Sequence, residues 1–494
     1  MRRICRTTFL LAVFLCLLPG ARGAFSFEEV KEAAKNLAAK PYAPSAQQLP
    51  AAMLNLNYDQ YQSIQFRRDK ELWNGQGLPF QLEFFLPGHF HKQIVPIEEV
   101  IDQKAHLIPF DASMFDPATN QISVASAGGY AGFRVEAERD KFGEAAVFLD
   151  ASYFRMIGKG ENYGLSSRGI LMDMFAHNGE EFPAFKKFWV QRPGKTDSEI
   201  IIYALLDGPS LAGAYRFSVR PGPTTLVGVK LALFARHEIT KFGIAPLNSM
   251  FLFGKNGKPP YSDFRPEVHD SDGLLLRTGH GEWMWHPLEN GKATRFNSFL
   301  DDNPGGFGLM QRERNFAAYE DPQAHYETRP SLWIQPNGKW GHGAVDLTQL
   351  LTGNEFADNV VASWHPAEPL KPGTPLEMEY EMYWTSSDPV PPSLGHVMAT
   401  RIGHVPEDTS KLRFIVDFAP PTGGTPPPVE ELQPDVSVGQ GTQLLGTNLF
   451  KVENTGAWRL AVEVREPRQA VELRAVVQHA GRPITETWTY TWLP

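Results

Sequence analysis

The chain has 494 residues, a formal net charge of −9 and two cysteines. That length predicts two or more domains rather than one, and the acidic balance argues against nucleic acid or anionic lipid as a partner. Both cysteines, Cys5 and Cys16, fall within the first 23 residues, so a chain trimmed there has no disulfide framework, thiolate metal site or cysteine nucleophile.

Residues 1–23 read as a secretory signal peptide. Arg2, Arg3 and Arg6 form a basic region, Phe9 to Leu18 an apolar core, and Ala21-Arg22-Gly23 a cleavage site before Ala24. The apolar run is shorter than the ~20 residues a spanning helix needs, and no later run replaces it. Arg2-Arg3 leads into Ile-Cys-Arg rather than a twin-arginine consensus, so Sec-type export is expected. Cys16 follows Leu15, not the small residue of a lipoprotein signal. Cleavage removes four arginines and no acids, taking the net charge from −9 to about −13. The mature protein is expected to be exported and not integral to a membrane.

The next residues predict a helix. Ser26 and Glu29 have capping-box spacing, Phe27, Val30, Ala33, Ala34 and Leu37 share one face, and Pro41 lies just beyond. A weaker helical stretch follows over 58–73. The pattern then turns to period two: Phe80, Leu82 and Phe84 alternate with polar residues, and 199–206 and 226–234 are strand-like between Gly and Pro turns. No nucleotide fingerprint and no βα alternation interrupts this. Residues 24–386 therefore read as one large antiparallel β-sandwich ending on a strand at 377–384. The composition of SSDPVPPSLG (386–395) marks a linker, bounded at 387–396. Residues 397–494 form a second, small β-sandwich with strands at 414–418, 458–464, 471–477 and 487–492.

The stretch from Asp263 to Trp364 differs from plain scaffold. Acids, arginines and tryptophans alternate there with Gly and Pro turns, the ingredients of a sugar-handling site: carboxylates for proton transfer, flat aromatic faces for rings, and polar groups for hydroxyls. Its carboxylates are Asp263, Glu267, Asp270, Asp272, Glu282, Glu320, Glu327, Asp346, Glu355 and Asp358, and composition does not choose among them. Trp283, Trp285, Trp333 and Trp340 are candidate sugar platforms. Trp283 and Trp285 share one face of a strand, which burial between sheets explains at least as well. Arg265, Arg312 and Arg329 are candidates to hold hydroxyls, or to pair nearby acids. His89 and His91 share a face, but no HExxH or clustered ligand spacing accompanies them, so no metal and no cofactor is expected. The absence of a Gly-x-Ser-x-Gly elbow argues against a serine hydrolase.

The segments HDSDGL (269–274), GEWMWHPL (281–288), NPGGFGLMQR (303–312), RPSLW (329–333) and ADNVVASW (357–364) resemble the periplasmic glucan biosynthesis family, the G and D proteins of osmoregulated glucan production. Upstream, ASYFRMIG (151–158), YGLSSRG (163–169), GEEFPAFKKFWVQRP (179–193) and IAPLNSMFLFG (244–254) match as well, so the likeness covers nearly the whole mature chain, closer to G than to D. It implies an all-β architecture, a mutarotase-like sandwich followed by an immunoglobulin-like one. It also implies a periplasmic protein whose partner is β-1,2-linked glucan, with a membrane glucan synthase as a second candidate partner.

As an enzyme, the resemblance implies an inverting endo-β-1,2-glucanase with Asp358 as general acid and Asp270 as base. Water would be activated through a relay, with Tyr326 and Glu355 on the supporting positions. Phe356-Ala357 beside the acid are less polar than the family pattern leads one to expect. Asp263 carries no implied role. The rival reading is a non-catalytic glucan-binding scaffold that assists synthesis, branching or export.

Overall fold

The computed structural model describes residues 24–44, 49–118, 122–137, 142–149, 151–177, 179–257 and 259–494; the leader expected over 1–23 lies outside them. The described chain is predominantly β. A ten-stranded and a fifteen-stranded sheet pack face to face, with a four-stranded sheet covering part of the larger one.

Period-two alternation builds the central layer. Leu82 and Phe84 of strand Phe80–Phe85, and Val345 and Leu347 of strand His342–Gln349, reach it from the ten-stranded sheet. Ile202 and Tyr380 meet them from the fifteen-stranded sheet. Alternate residues of the same strands leave this core, because successive side chains point to opposite faces. The strand at Leu376–Thr385 does not close the sheet. It lies inside, between Thr225–Ala235 and Ser331–Asn337.

The outer face of the fifteen-stranded sheet is covered twice. Helix Phe27–Ala38 lays Val30 and Ala34 against Trp189, Ile201 and Tyr203. The helix forms where its apolar stripe predicts, but Ser26 makes no side-chain cap. The capping box occurs later, at Asn57 and Gln60, on the short helix Tyr58–Ser63, the only α-turn within 58–73. Farther along the sheet, Leu275, Trp283, Trp285, Met310 and Trp333 pack with Phe414 and Leu460 of the four-stranded sheet, and Trp488 lies beside Trp285 in the same layer. Gly273 and Gly306 permit this: a Cβ at Gly273 would lie 2.0 Å from the Trp285 ring, and one at Gly306 2.2 Å from Trp333.

Among the described strands, two pairings are parallel rather than antiparallel: Ile97–Ile101 with Ala184–Gln191, and Trp283–Pro287 with Thr487–Trp492. The second pairing runs the fifteen-stranded sheet continuously from the early part of the chain into its C-terminal strands. Arg312 locks the same junction. Its guanidinium donates to Glu486 at 2.6 and 3.0 Å, to Asp388 at 2.7 Å and to the Val397 carbonyl at 3.0 Å, and it lies 3.7 Å from the Trp285 ring centre.

Among the described residues, no helix is long and apolar enough to cross a membrane.

Candidate functional site

Two loops distant in sequence are pinned together by one amide. Strand Phe251–Phe253 pairs with Val268–His269, and the N–H of Asp270, the next residue, donates to the Met250 carbonyl at 2.8 Å. The buried Asn359 accepts from the Phe251 N–H at 2.9 Å and donates to the carbonyls of Phe251 and Leu350, both at 3.0 Å. The loop carrying Glu355 and Asp358 is thereby tied to the segment carrying Asp270.

Asp270 is 4% exposed and paired with the Arg329 guanidinium. Arg329 spends its Nε and Nη2 donors on the Ala324 carbonyl, at 3.1 and 2.9 Å, and lies 4.3 Å from the centre of the Tyr326 ring. The Tyr326 hydroxyl donates to Glu355 Oε2 at 2.5 Å. Burial, then the Glu355 carboxylate, hold that phenol well above the usual tyrosine range. A Cβ at Gly164, in YGLSSRG, would lie 2.8 Å from Arg329, so the chain passes directly against it there.

Glu355 also accepts from Arg265 at 2.7 Å. Arg265 further donates to Asp263 and Asp321 and so commits all five of its N–H groups to three carboxylates. Those partners, Asp263 foremost, hold it firmly protonated. Arg265 thus clamps the Glu355 loop and has no N–H left for a sugar hydroxyl.

Asp358 is exposed to solvent, yet enough protein surrounds it for burial to act on its carboxyl. Burial raises its pKa most. Arg155, Arg168 and Arg329 pull it down, and the Asp270 carboxylate adds to the rise. The Asp358 carboxyl therefore senses the charge of Asp270, and the two differ in setting: Asp270 is paired with a guanidinium, whereas Asp358 has no ion pair among the described residues. Arg168 is itself buried, ion-paired with Glu180 at 2.7 Å. Arg155 and Arg168 are the residues that sequence reasoning did not single out. Their only signal was membership of ASYFRMIG and YGLSSRG.

The tryptophans lie elsewhere. Trp283, Trp285 and Trp333 are buried in the layer shared with the C-terminal strands, Trp283 and Trp333 stacked at 5.5 Å, and Trp340 belongs to the central core. All four are buried, and the alternation of Trp283 and Trp285 reflects burial between sheets, although Trp340 also lines a small pocket with Lys230 and Glu379. Phe356 is 92% exposed, so its ring projects away from the acid rather than packing on it. Among the described residues, no group of three or more His, Cys, Asp or Glu is placed to hold a metal ion.

A buried, guanidinium-bound carboxylate and a second carboxyl raised by burial thus stand within electrostatic reach of one another on a predominantly β framework. The comparisons give the family. Residues 25–492 match the model described as "Periplasmic glucan biosynthesis protein, MdoG". The chain is 42% identical over 505 residues to Glucans biosynthesis protein G of Ralstonia nicotianae, covering 98% of this chain and 99% of that protein. It is 42% identical to the protein of that name from Bradyrhizobium diazoefficiens (96% and 95% covered) and 41% identical to that from Shewanella baltica (95% and 88%). The chain belongs to the periplasmic glucan biosynthesis protein G family. It is a periplasmic protein of osmoregulated glucan biosynthesis.

Proposed function

We propose that the protein cleaves β-1,2-linked glucan internally and with inversion, trimming the glucan backbone. The observation that carries this is the divergence of two charge-coupled aspartates: burial raises Asp358, whereas Asp270 is paired with Arg329. A carboxyl raised by burial is the better donor of a proton to the leaving glycosidic oxygen, and the carboxylate in the ion pair with Arg329 is the candidate to take a proton from attacking water. Asp358 is therefore the general acid and Asp270 the base. Because Asp270 is almost fully buried, water reaches it through intermediates rather than directly. Tyr326 and Glu355 carry that relay, with Arg265 and Arg329 as positioning residues. No metal or cofactor is required by this chemistry.

We read residues 24–386 as the mutarotase-like unit bearing this site, 387–396 as the connection, and 397–494 as an immunoglobulin-like buttress that covers Trp283, Trp285 and Trp333. The rival reading, a non-catalytic scaffold passing glucan from a membrane synthase, is favoured by one contact: the Tyr326 hydroxyl points to Glu355 and not to Asp270. Proton NMR of the reducing ends released from linear β-1,2-glucan separates the two. The hydrolase reading expects the α-anomer to appear first. An initial β-anomer overturns the inverting mechanism, and bound but uncut glucan favours the scaffold.

A further inference from the structure

Strand Val360–Pro366 begins two residues after Asp358 and runs away from it across the ten-stranded sheet. Val360, Ala362 and Trp364 enter the central core, so Val361, Ser363 and His365 lie on the outer face. There they line an open groove of about 550 Å³. At about 3.4 Å per residue, the strand carries this groove from near the acid to roughly 24 Å away.

The groove has both kinds of surface a sugar chain needs. Phe175 and Phe296 are 54% and 55% exposed and meet edge to face at 6.3 Å, offering two apolar ring surfaces with no core to fill. Beside them Asp346 accepts from Ser298 at 2.6 Å and lies 3.8 Å from His365. The carboxyl oxygens of Asp346 accept from hydroxyls, as they do from Ser298, and the His365 ring beside them offers a further polar partner. Two half-exposed phenylalanines in one groove with a partly buried carboxyl contribute little to folding, since the rings bury only part of their area and the carboxyl loses water.

We propose that this groove binds a further stretch of the same β-1,2-glucan chain, several glucosyl units from the bond facing Asp358, with Phe175 and Phe296 as ring platforms and Asp346 and His365 as hydroxyl partners. The inference rests on the reading that glucan lies at Asp358. It adds that affinity, and with it the length of the product, is set along the 360–366 strand. Chains too short to reach Phe175 lose that hold.

The test is calorimetric titration with linear β-1,2-gluco-oligosaccharides, a trisaccharide and a decasaccharide, in the Asp358→Asn background so that nothing is cut. The decasaccharide should bind more tightly than the trisaccharide, and Phe175→Ala/Phe296→Ala should shrink that advantage by about tenfold. Phe175→Ala alone, outside any strand, should shrink it in part and guards against misfolding of the double variant. An unchanged advantage in both variants, or none in the parent, overturns the inference. Wild-type cleavage is scored separately. Binding through the groove without cleavage keeps this inference and removes the hydrolase reading. Cleavage with unchanged binding in the variants does the reverse.

Discussion

Arg312→Ala should cost about 3–5 kcal/mol of stability at pH 8. The buried side chain of Glu486 (0% exposed) would be left facing no cation, with only the Val397 N–H at 2.6 Å to satisfy it. The stacking of the guanidinium on Trp285, worth ~1–2 kcal/mol when desolvated, is part of that cost. Burial already raises the Glu486 pKa, and Arg312 is the largest influence holding it down, so the variant raises it further. A raised carboxyl contributes favourably below its unfolded value near ~4.3, and that contribution is lost as pH rises through the folded value. The gap between wild type and variant should therefore narrow as pH falls from 8 towards 4. Urea unfolding followed by tryptophan fluorescence reads it directly, because Trp283, Trp285, Trp333 and Trp488 occupy that layer. Arg312→Met with Glu486→Leu should recover most of the loss. A gap below about 1 kcal/mol at pH 8, or one independent of pH, would refute the coupling.

Arg155→Met removes a cation that lowers the Asp358 carboxyl, so the alkaline limb of the pH–rate profile should move to higher pH; a limb that stays put would detach Arg155 from the acid. Trp333→Ala should lower stability by about 3–5 kcal/mol in urea unfolding, because the ring is buried on Trp283 and above Gly306. An unchanged urea midpoint with weakened glucan binding would restore the platform role.

The strands of the large sheets were legible because one face of each is buried, which gives period two at Phe80–Phe85 and Thr225–Ala235. Strands Leu432–Val438 and Leu444–Lys451 were not, since the second is largely exposed on both faces and carries no alternation. Trp283 and Trp285 disclosed a shared face but not what covers it; the cover comes from the four-stranded sheet of the last hundred residues, Phe414 and Leu460 among them. Asp358 and Asp270 drew their roles from motif likeness, whereas Asn359 and Arg168 matter through contacts made only on folding. Asp263, without a role in sequence, is buried against Arg265 and so supports the Glu355 clamp indirectly.

The most direct measurement is the size distribution of linear β-1,2-glucan after incubation with purified mature wild type and with Asp358→Asn, both checked for folding by circular dichroism. The wild type should yield internal fragments of intermediate length. Asp358→Asn, which keeps the shape of the side chain but has no carboxyl proton to give, should bind glucan and cut it slower by roughly two to four orders of magnitude. Equal cutting by both proteins, or tight binding with no cutting by the wild type, would contradict Asp358 as the acid of a glucan hydrolase.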